Sequence, residues 1–130
     1  MVCLVIVSHS YKIAEGIKDL ALEMARDHKG IYCAAGLEDK SIGTDAVMIM
    51  DAIKNANDGD GVIVLADLGS GIISAETAID MLDEDIKVKI ANAPIVEGSI
   101  IAAIESSIGS DFDKVLEECE KTREFNKINS

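Results

Sequence analysis

An α/β fold, an open and mostly parallel sheet with helices on both faces, is what this sequence predicts. Three observations predict it. Val2-Cys3-Leu4-Val5-Ile6-Val7 and Val62-Ile63-Val64-Leu65-Ala66 are apolar at every position, the pattern of strands covered on both faces. Strand-like and helix-like stretches alternate as β-α-β-α-β-α-β-α-α, and parallel strands need crossovers that are usually helical. The 130 residues suit one domain with one core.

The elements follow in order. The first strand, residues 2–7, runs into Ser8-His9-Ser10. A helix follows, with Ile13, Ile17, Leu20, Ala21 and Met24 at three- and four-residue spacing and Glu15, Lys18, Asp19, Glu23 and Arg26 on the other face. Gly30 stops it. Residues 31–35 form a short strand and residues 36–42 a polar loop. Gly43-Thr44-Asp45 starts the second helix, with Thr44 as its N-cap and Asp45 favourable against the dipole. Ala46, Ile49, Met50, Ile53 and Ala56 line its buried face. Asn57-Asp58-Gly59-Asp60-Gly61 is a dense turn signal. The second long strand, 62–66, runs into Asp67-Leu68-Gly69-Ser70-Gly71, and a helix follows with Ile72, Ala75, Ile79 and Leu82 inward. Residues 86–91 form a fourth strand, and Pro94, the only proline, marks its exit loop. Residues 97–107 are helical, as are residues 111–121, with Phe112, Val115, Leu116 and Cys119 inward. There is no internal repeat. Residues 1–122 are expected to form the domain and residues 123–130 a polar, fraying tail.

Composition narrows the function. Apolar residues make up 48% of the chain, which argues for a globule rather than disorder. No apolar run approaches the roughly 18 residues of a membrane span. Met1-Val2-Cys3 enters a strand with no basic segment, so no secretory signal is read, and a cytoplasmic protein is expected. The net charge of −12 repels phosphate backbones and anionic lipid, so neither nucleic acid nor membrane is expected as a partner. It suits a partner with a basic docking face, although acidity of this size is also common without one. Cys3, Cys33 and Cys119 have no C-x-x-C spacing and read as free thiols. With only His9 and His28 beside them, no zinc site can be assembled. His28, in a polar stretch near Gly30, reads as solvated or as a partner for a helix C-terminus.

Chemistry is sought at the carboxyl ends of the strands, where open α/β sheets bind ligands. If the first and third strands are neighbours, His9 and Asp67 face one crevice. A neutral histidine can attack phosphorus, and a carboxylate that accepts its N–H fixes the attacking nitrogen and stabilises the developing charge. The backbone of Gly69-Ser70-Gly71 can approach phosphoryl oxygens at a helix N-terminus. Ser8, Ser10, Ser70 and Thr44 add hydroxyl donors. Each feature alone also has an ordinary reading: a loop histidine, a turn-capping aspartate, a tight strand–helix turn. There is no G-x-x-x-x-G-K-[ST] and no G-x-G-x-x-G after the first strand, so neither a P-loop nor a dinucleotide fold is supported. A receiver-like module phosphorylated on Asp67 would need an acidic pair after the first strand to hold Mg²⁺; Ser8-His9 stands there.

Six segments in order carry a family resemblance. Val5-Ile6-Val7-Ser8-His9-Ser10, Ala34-Ala35-Gly36, Ile42-Gly43-Thr44-Asp45-Ala46-Val47, Ala66-Asp67-Leu68-Gly69-Ser70, Ser74-Ala75-Glu76-Thr77-Ala78 and Ala93-Pro94-Ile95-Val96-Glu97-Gly98 resemble the phosphotransfer subunits of phosphoenolpyruvate-dependent dihydroxyacetone kinases. These belong to the mannose-type enzyme IIA group of the phosphotransferase system. The resemblance covers residues 1 to about 120 and implies a mannose-type enzyme IIA fold, commonly a homodimer. It implies that His9 is phosphorylated by the carrier HPr and that Asp67 pairs with it. It implies onward transfer to ADP on the nucleotide-binding subunit of the kinase, for dihydroxyacetone held by a third subunit. Some members carry fused HPr-like and enzyme I-like domains; this chain, ending after the first domain, is expected to use a separate HPr. No cofactor or metal is expected. Mannose-transport relatives usually have glycines around the histidine, and the flanking serines here favour the dihydroxyacetone branch. Sugar uptake and a non-catalytic flavodoxin-like interaction domain are the alternatives.

Overall fold

The fold was described from a computed structural model, covering residues 1–128; the last two positions of the expected polar tail lie outside the described residues. Four parallel strands form one sheet in the order β2-β1-β3-β4. They are β1 (Cys3–Ser8), β2 (Ile31–Ala35), β3 (Val62–Ala66) and β4 (Val88–Ile90). The crossover helices are α1 (Tyr11–Met24), α2 (Ala46–Ala56) and α3 (Gly69–Asp80), followed by α4 (Ile95–Ser107) and α5 (Phe112–Lys121). A 3₁₀ turn over Thr122–Glu124 is the last regular element among the described residues.

The two all-apolar runs are the two central strands, as their sequence requires. Alternation splits their side chains between two cores. Leu4, Ile6, Ile63 and Leu65 pack against Ala14, Ile17, Ala102, Ala103 and Val115 of α1, α4 and α5. Val5, Val7, Val62 and Val64 pack against Ile49, Ile53, Ala75 and Ala78 of α2 and α3. Burying each large aliphatic side chain contributes roughly 1.5–3 kcal/mol. The carboxyl ends of β1 and β3 therefore emerge from between the two cores. At Gly98, α4 approaches β3 so closely that a Cβ would sit 2.8 Å from Leu65 Cδ2 and 3.0 Å from the Ala93 Cβ.

Five local expectations are corrected. The inward face of α1 is Ala14, Ile17 and Ala21; Ile13, Leu20 and Met24 are 51%, 50% and 62% exposed. Small residues let the helix lie close to the sheet, and the larger ones are turned to its flanks. Asp45, not Thr44, caps α2, its carboxylate accepting the N–H groups of Val47 and Met48 at 2.9 and 3.3 Å. Pro94 is the N-cap of α4, which starts two residues earlier than expected. The strand β4 is three residues long rather than six, its ladder to β3 running only from Val88 to Ile90. His28 is buried (4% exposed), its Nδ1 accepting the Gly30 N–H at 2.9 Å and its Nε2 bonded to Ser106 at 2.8 Å. The three cysteines are free, with Cys3 and Cys119 buried.

Candidate active site

The order β2-β1-β3-β4 places the topological switch between β1 and β3, where ligands bind in such sheets. Ser8 ends β1, and Asp67 follows β3, its backbone N–H donating to the Val7 carbonyl at 3.1 Å. The two strand ends thus bring His9 and Asp67 into contact across 58 residues of sequence.

Asp67 is the hub. Its Oδ1 lies 3.0 Å from His9 Nδ1 and accepts the Leu68 N–H at 2.8 Å. Its Oδ2 accepts the Ser8 hydroxyl and the His9 backbone N–H, both at 2.9 Å. Burial alone would raise its pKa. The donors from His9, Ser8 and Leu68 outweigh that penalty and hold the carboxyl below its ordinary value. An ionised Asp67 can only accept, so His9 Nδ1 carries a proton, and in the neutral ring Nε2 presents its lone pair. Ser70 Oγ stands 2.6 Å from Nε2 and donates to it. The His9 side chain remains 21% exposed.

The other residues singled out by sequence take distinct places. Gly69, Ser70 and Gly71 form the first turn of α3, where amide groups have no intrahelical acceptor. A Cβ on Gly71 would lie 3.0 Å from Asp67 Oδ1 and 3.7 Å from His9 Cε1, so the helix start touches the pair. Ser10 caps α1, accepting the Ile13 N–H at 3.3 Å. Thr44 does not contact His9; its hydroxyl pairs at 2.7 Å with Ser74, one turn along α3 from Ser70. The loop before it is anchored on the site, because the Gly43 N–H donates to the His9 carbonyl at 2.9 Å.

Ser8 does more than the sequence indicated. It is fully buried, donates to Asp67, and accepts the Ser10 N–H at 3.1 Å. The signal was present: a hydroxyl at the end of an all-apolar strand must find a partner. Beside Asp67, an open cleft at the ends of β3 and β4 is lined by Leu68, Ile72, Glu76, Ile90 and Asn92. Among the described residues, no cluster of His, Cys, Asp and Glu side chains could hold a metal ion. No helix there is long and apolar enough to cross a membrane.

Fold and site together define an α/β domain with a histidine–carboxylate pair at the switch point of a parallel sheet. The chain belongs to the PTS system fructose IIA component family, whose sequence model matches residues 3–116. It is 46% identical over 121 residues to the "PEP-dependent dihydroxyacetone kinase, phosphoryl donor subunit DhaM" of Escherichia coli, covering 89% of this chain and 26% of that protein. It is 38% identical over 120 residues to the "PEP-dependent dihydroxyacetone kinase 2, phosphoryl donor subunit DhaM" of Listeria innocua, covering 91% of this chain and 96% of that one. This chain thus spans about a quarter of the length of its enterobacterial relatives and nearly all of the Listeria protein. The crystal structure of phosphotransferase system component EIIA from Streptococcus agalactiae superposes with a TM-score of 0.73 at 15% identity, over 99% of this chain and 97% of that one. That likeness shows the enzyme IIA fold.

Proposed function

We propose that this chain is the phosphoryl donor subunit of a dihydroxyacetone kinase, carrying the phosphoryl group on Nε2 of His9. One observation carries the reading: the His9 Nδ1–Asp67 contact of 3.0 Å, which commits Nδ1 to its proton and leaves Nε2 as the nucleophile. The donor is phospho-HPr. Nε2 attacks phosphorus, the nitrogen–phosphorus bond of the donor breaks, and the ring becomes cationic against the Asp67 carboxylate. No proton has to move.

In this reading Ser70 turns its hydroxyl from Nε2 to a phosphoryl oxygen, and the amide groups of Gly69, Ser70 and Gly71 add donors at a helix N-terminus. Ser10 and Thr44 follow β1 and β2 at the same carboxyl end of the sheet and add hydroxyl groups for the phosphoryl oxygens. The acceptor is ADP on the nucleotide-binding subunit of the kinase. Its terminal oxygen attacks phosphorus, and neutral His9 leaves with its lone pair restored. The ATP formed serves the phosphorylation of dihydroxyacetone. The names of the E. coli and Listeria relatives support this placement, as do the flanking serines of His9. The carrier unit is residues 1–122 of a cytoplasmic protein. It forms a homodimer, for which the apolar side chains that α1 leaves exposed provide surface.

Incubation with phosphoenolpyruvate, enzyme I and HPr should label His9 with an acid-labile, base-stable phosphate. Mixing the labelled protein with the ADP-loaded kinase subunit should discharge it. A His9→Ala protein that still takes up label would sink the reading.

A further inference from the structure

Ser70, His9 and Asp67 stand in the order of nucleophile, general base and orienting carboxylate. Ser70 Oγ to His9 Nε2 is 2.6 Å and His9 Nδ1 to Asp67 Oδ1 is 3.0 Å. With the imidazole neutral the directions follow: Nδ1–H donates to the Asp67 carboxylate, so the Ser70 O–H donates to Nε2. Asp67 is itself held by the Ser8 hydroxyl and the His9 and Leu68 amides. Serine nucleophiles are activated by this arrangement on unrelated folds, where it is identified by geometry and role rather than chain order. Ser70 is exposed in the first turn of α3, so a reagent can reach its oxygen. The amide of the residue that follows it, Gly71, also lies in that first turn, where an N–H has no intrahelical acceptor. A donor immediately after the nucleophile is one half of the oxyanion hole in serine hydrolases.

We infer that in the unphosphorylated protein Ser70 is a nucleophile toward small activated acyl esters, with His9 as its base and Asp67 as the group that orients the base. Ser70 Oγ bonds to the carbonyl carbon while its proton passes to Nε2. The tetrahedral oxyanion collapses, the bond to the alcohol oxygen breaks, and the alcohol leaves with the proton from Nε2. Water then repeats the attack on the acyl-serine, releasing the acid and restoring the Ser70 hydroxyl. The inference uses side chains of the carrier site but does not depend on phosphoryl transfer. Nε2 has a single lone pair, so a phosphoryl group there removes the base and the two activities exclude each other.

A fluorophosphonate tests the nucleophile directly. Ser70 Oγ displaces fluoride from phosphorus, its proton passes to Nε2, and the stable adduct is located by peptide mass spectrometry. The adduct should map to Ser70. Its rate of formation should rise with pH as the imidazole loses its proton and then level off, and His9→Gln should slow it at least about tenfold. The absence of an adduct on Ser70 would overturn the inference, as would equal labelling of His9→Gln. So would a wild-type rate that keeps climbing about tenfold per pH unit without a plateau, the behaviour of an unassisted hydroxyl. The wild-type pH profile decides the matter even if the variant folds poorly. The readout is an adduct on Ser70 and not phosphate on His9, so failure here is distinct from failure of the carrier reading.

Discussion

At the scale of single residues, Asp67 determines what His9 can do. Asp67→Asn places an amide N–H₂ among groups that all donate: the His9 ring and backbone, the Ser8 hydroxyl and the Leu68 amide. Phosphoryl transfer should slow by about 10²-fold while the protein stays folded, checked by quench-flow transfer and a thermal melt. Gly71 makes a second point. Alanine there keeps a helical backbone conformation. Its Cβ would meet Asp67 Oδ1 at 3.0 Å, tighter than ordinary contact. Gly71→Ala should therefore slow phosphoryl transfer by more than any change in its melting temperature accounts for, a split that a purely structural glycine would not give, read from transfer rates and a thermal melt. Of this site, the sequence made His9, Asp67 and the Gly69-Ser70-Gly71 turn legible, because strand ends and a strand–helix turn are local patterns. The pairing of His9 with Asp67 was legible too, given neighbouring strands; the Ser8 bond to Asp67 and the Ser70 bond to His9 were not, because they join positions 59 and 61 residues apart.

At the scale of elements, strand and helix identities were legible while helix faces were less so. In α1 the pattern placed Ile13, Ile17, Leu20, Ala21 and Met24 inward; Ile17 and Ala21 are buried, while Ala14 stands in the core where Ile13, Leu20 and Met24 were expected; periodicity reports a face only to within about one position. His28 shows the same limit. Flanked by Asp27 and Lys29 it reads as solvated, yet Ser106 of α4, 78 positions away, covers it. There it ties three elements together. Nδ1 accepts the Gly30 amide ahead of β2, Nε2–H donates to Ser106, and the Ser106 hydroxyl donates to the Val2 carbonyl ahead of β1. Burial, reinforced by the nearby amino group of Met1, holds the His28 pKa below its ordinary 6.5. Between that lowered value and 6.5 the unfolded chain binds more protons than the folded one, so stability falls as pH drops through this window and is fully present above it. His28→Gln should flatten the dependence of the melting temperature on pH between neutrality and the acid side of 6.5. Packing of α4 rests on Gly98 in the same way. Gly98→Ala would force a Cβ to within 2.8 Å of Leu65 and should destabilise by about 1–3 kcal/mol, measured by urea unfolding.

At the scale of the whole molecule, charge acts where contacts do not. The net charge of −12 has two consequences of opposite sign. It attracts a partner with a basic face and raises the encounter rate. It also sets the chain against itself, because unscreened like charges weaken the compact state. Salt removes both effects as the Debye length falls to about 3 Å near 1 M. If phospho-HPr is the donor, as proposed, raising ionic strength should slow phosphoryl transfer from it by about tenfold or more, while the melting temperature rises or holds. Salt that merely damaged the fold would lower both, and a carrier recognised only through the apolar side chains near His9 would show no loss of rate. Stopped transfer assays and thermal melts on one salt series separate the three cases. If rate and stability move apart, the acidity of this chain guides its partner to the carboxyl end of the sheet, where His9 is bonded to the Asp67 carboxylate.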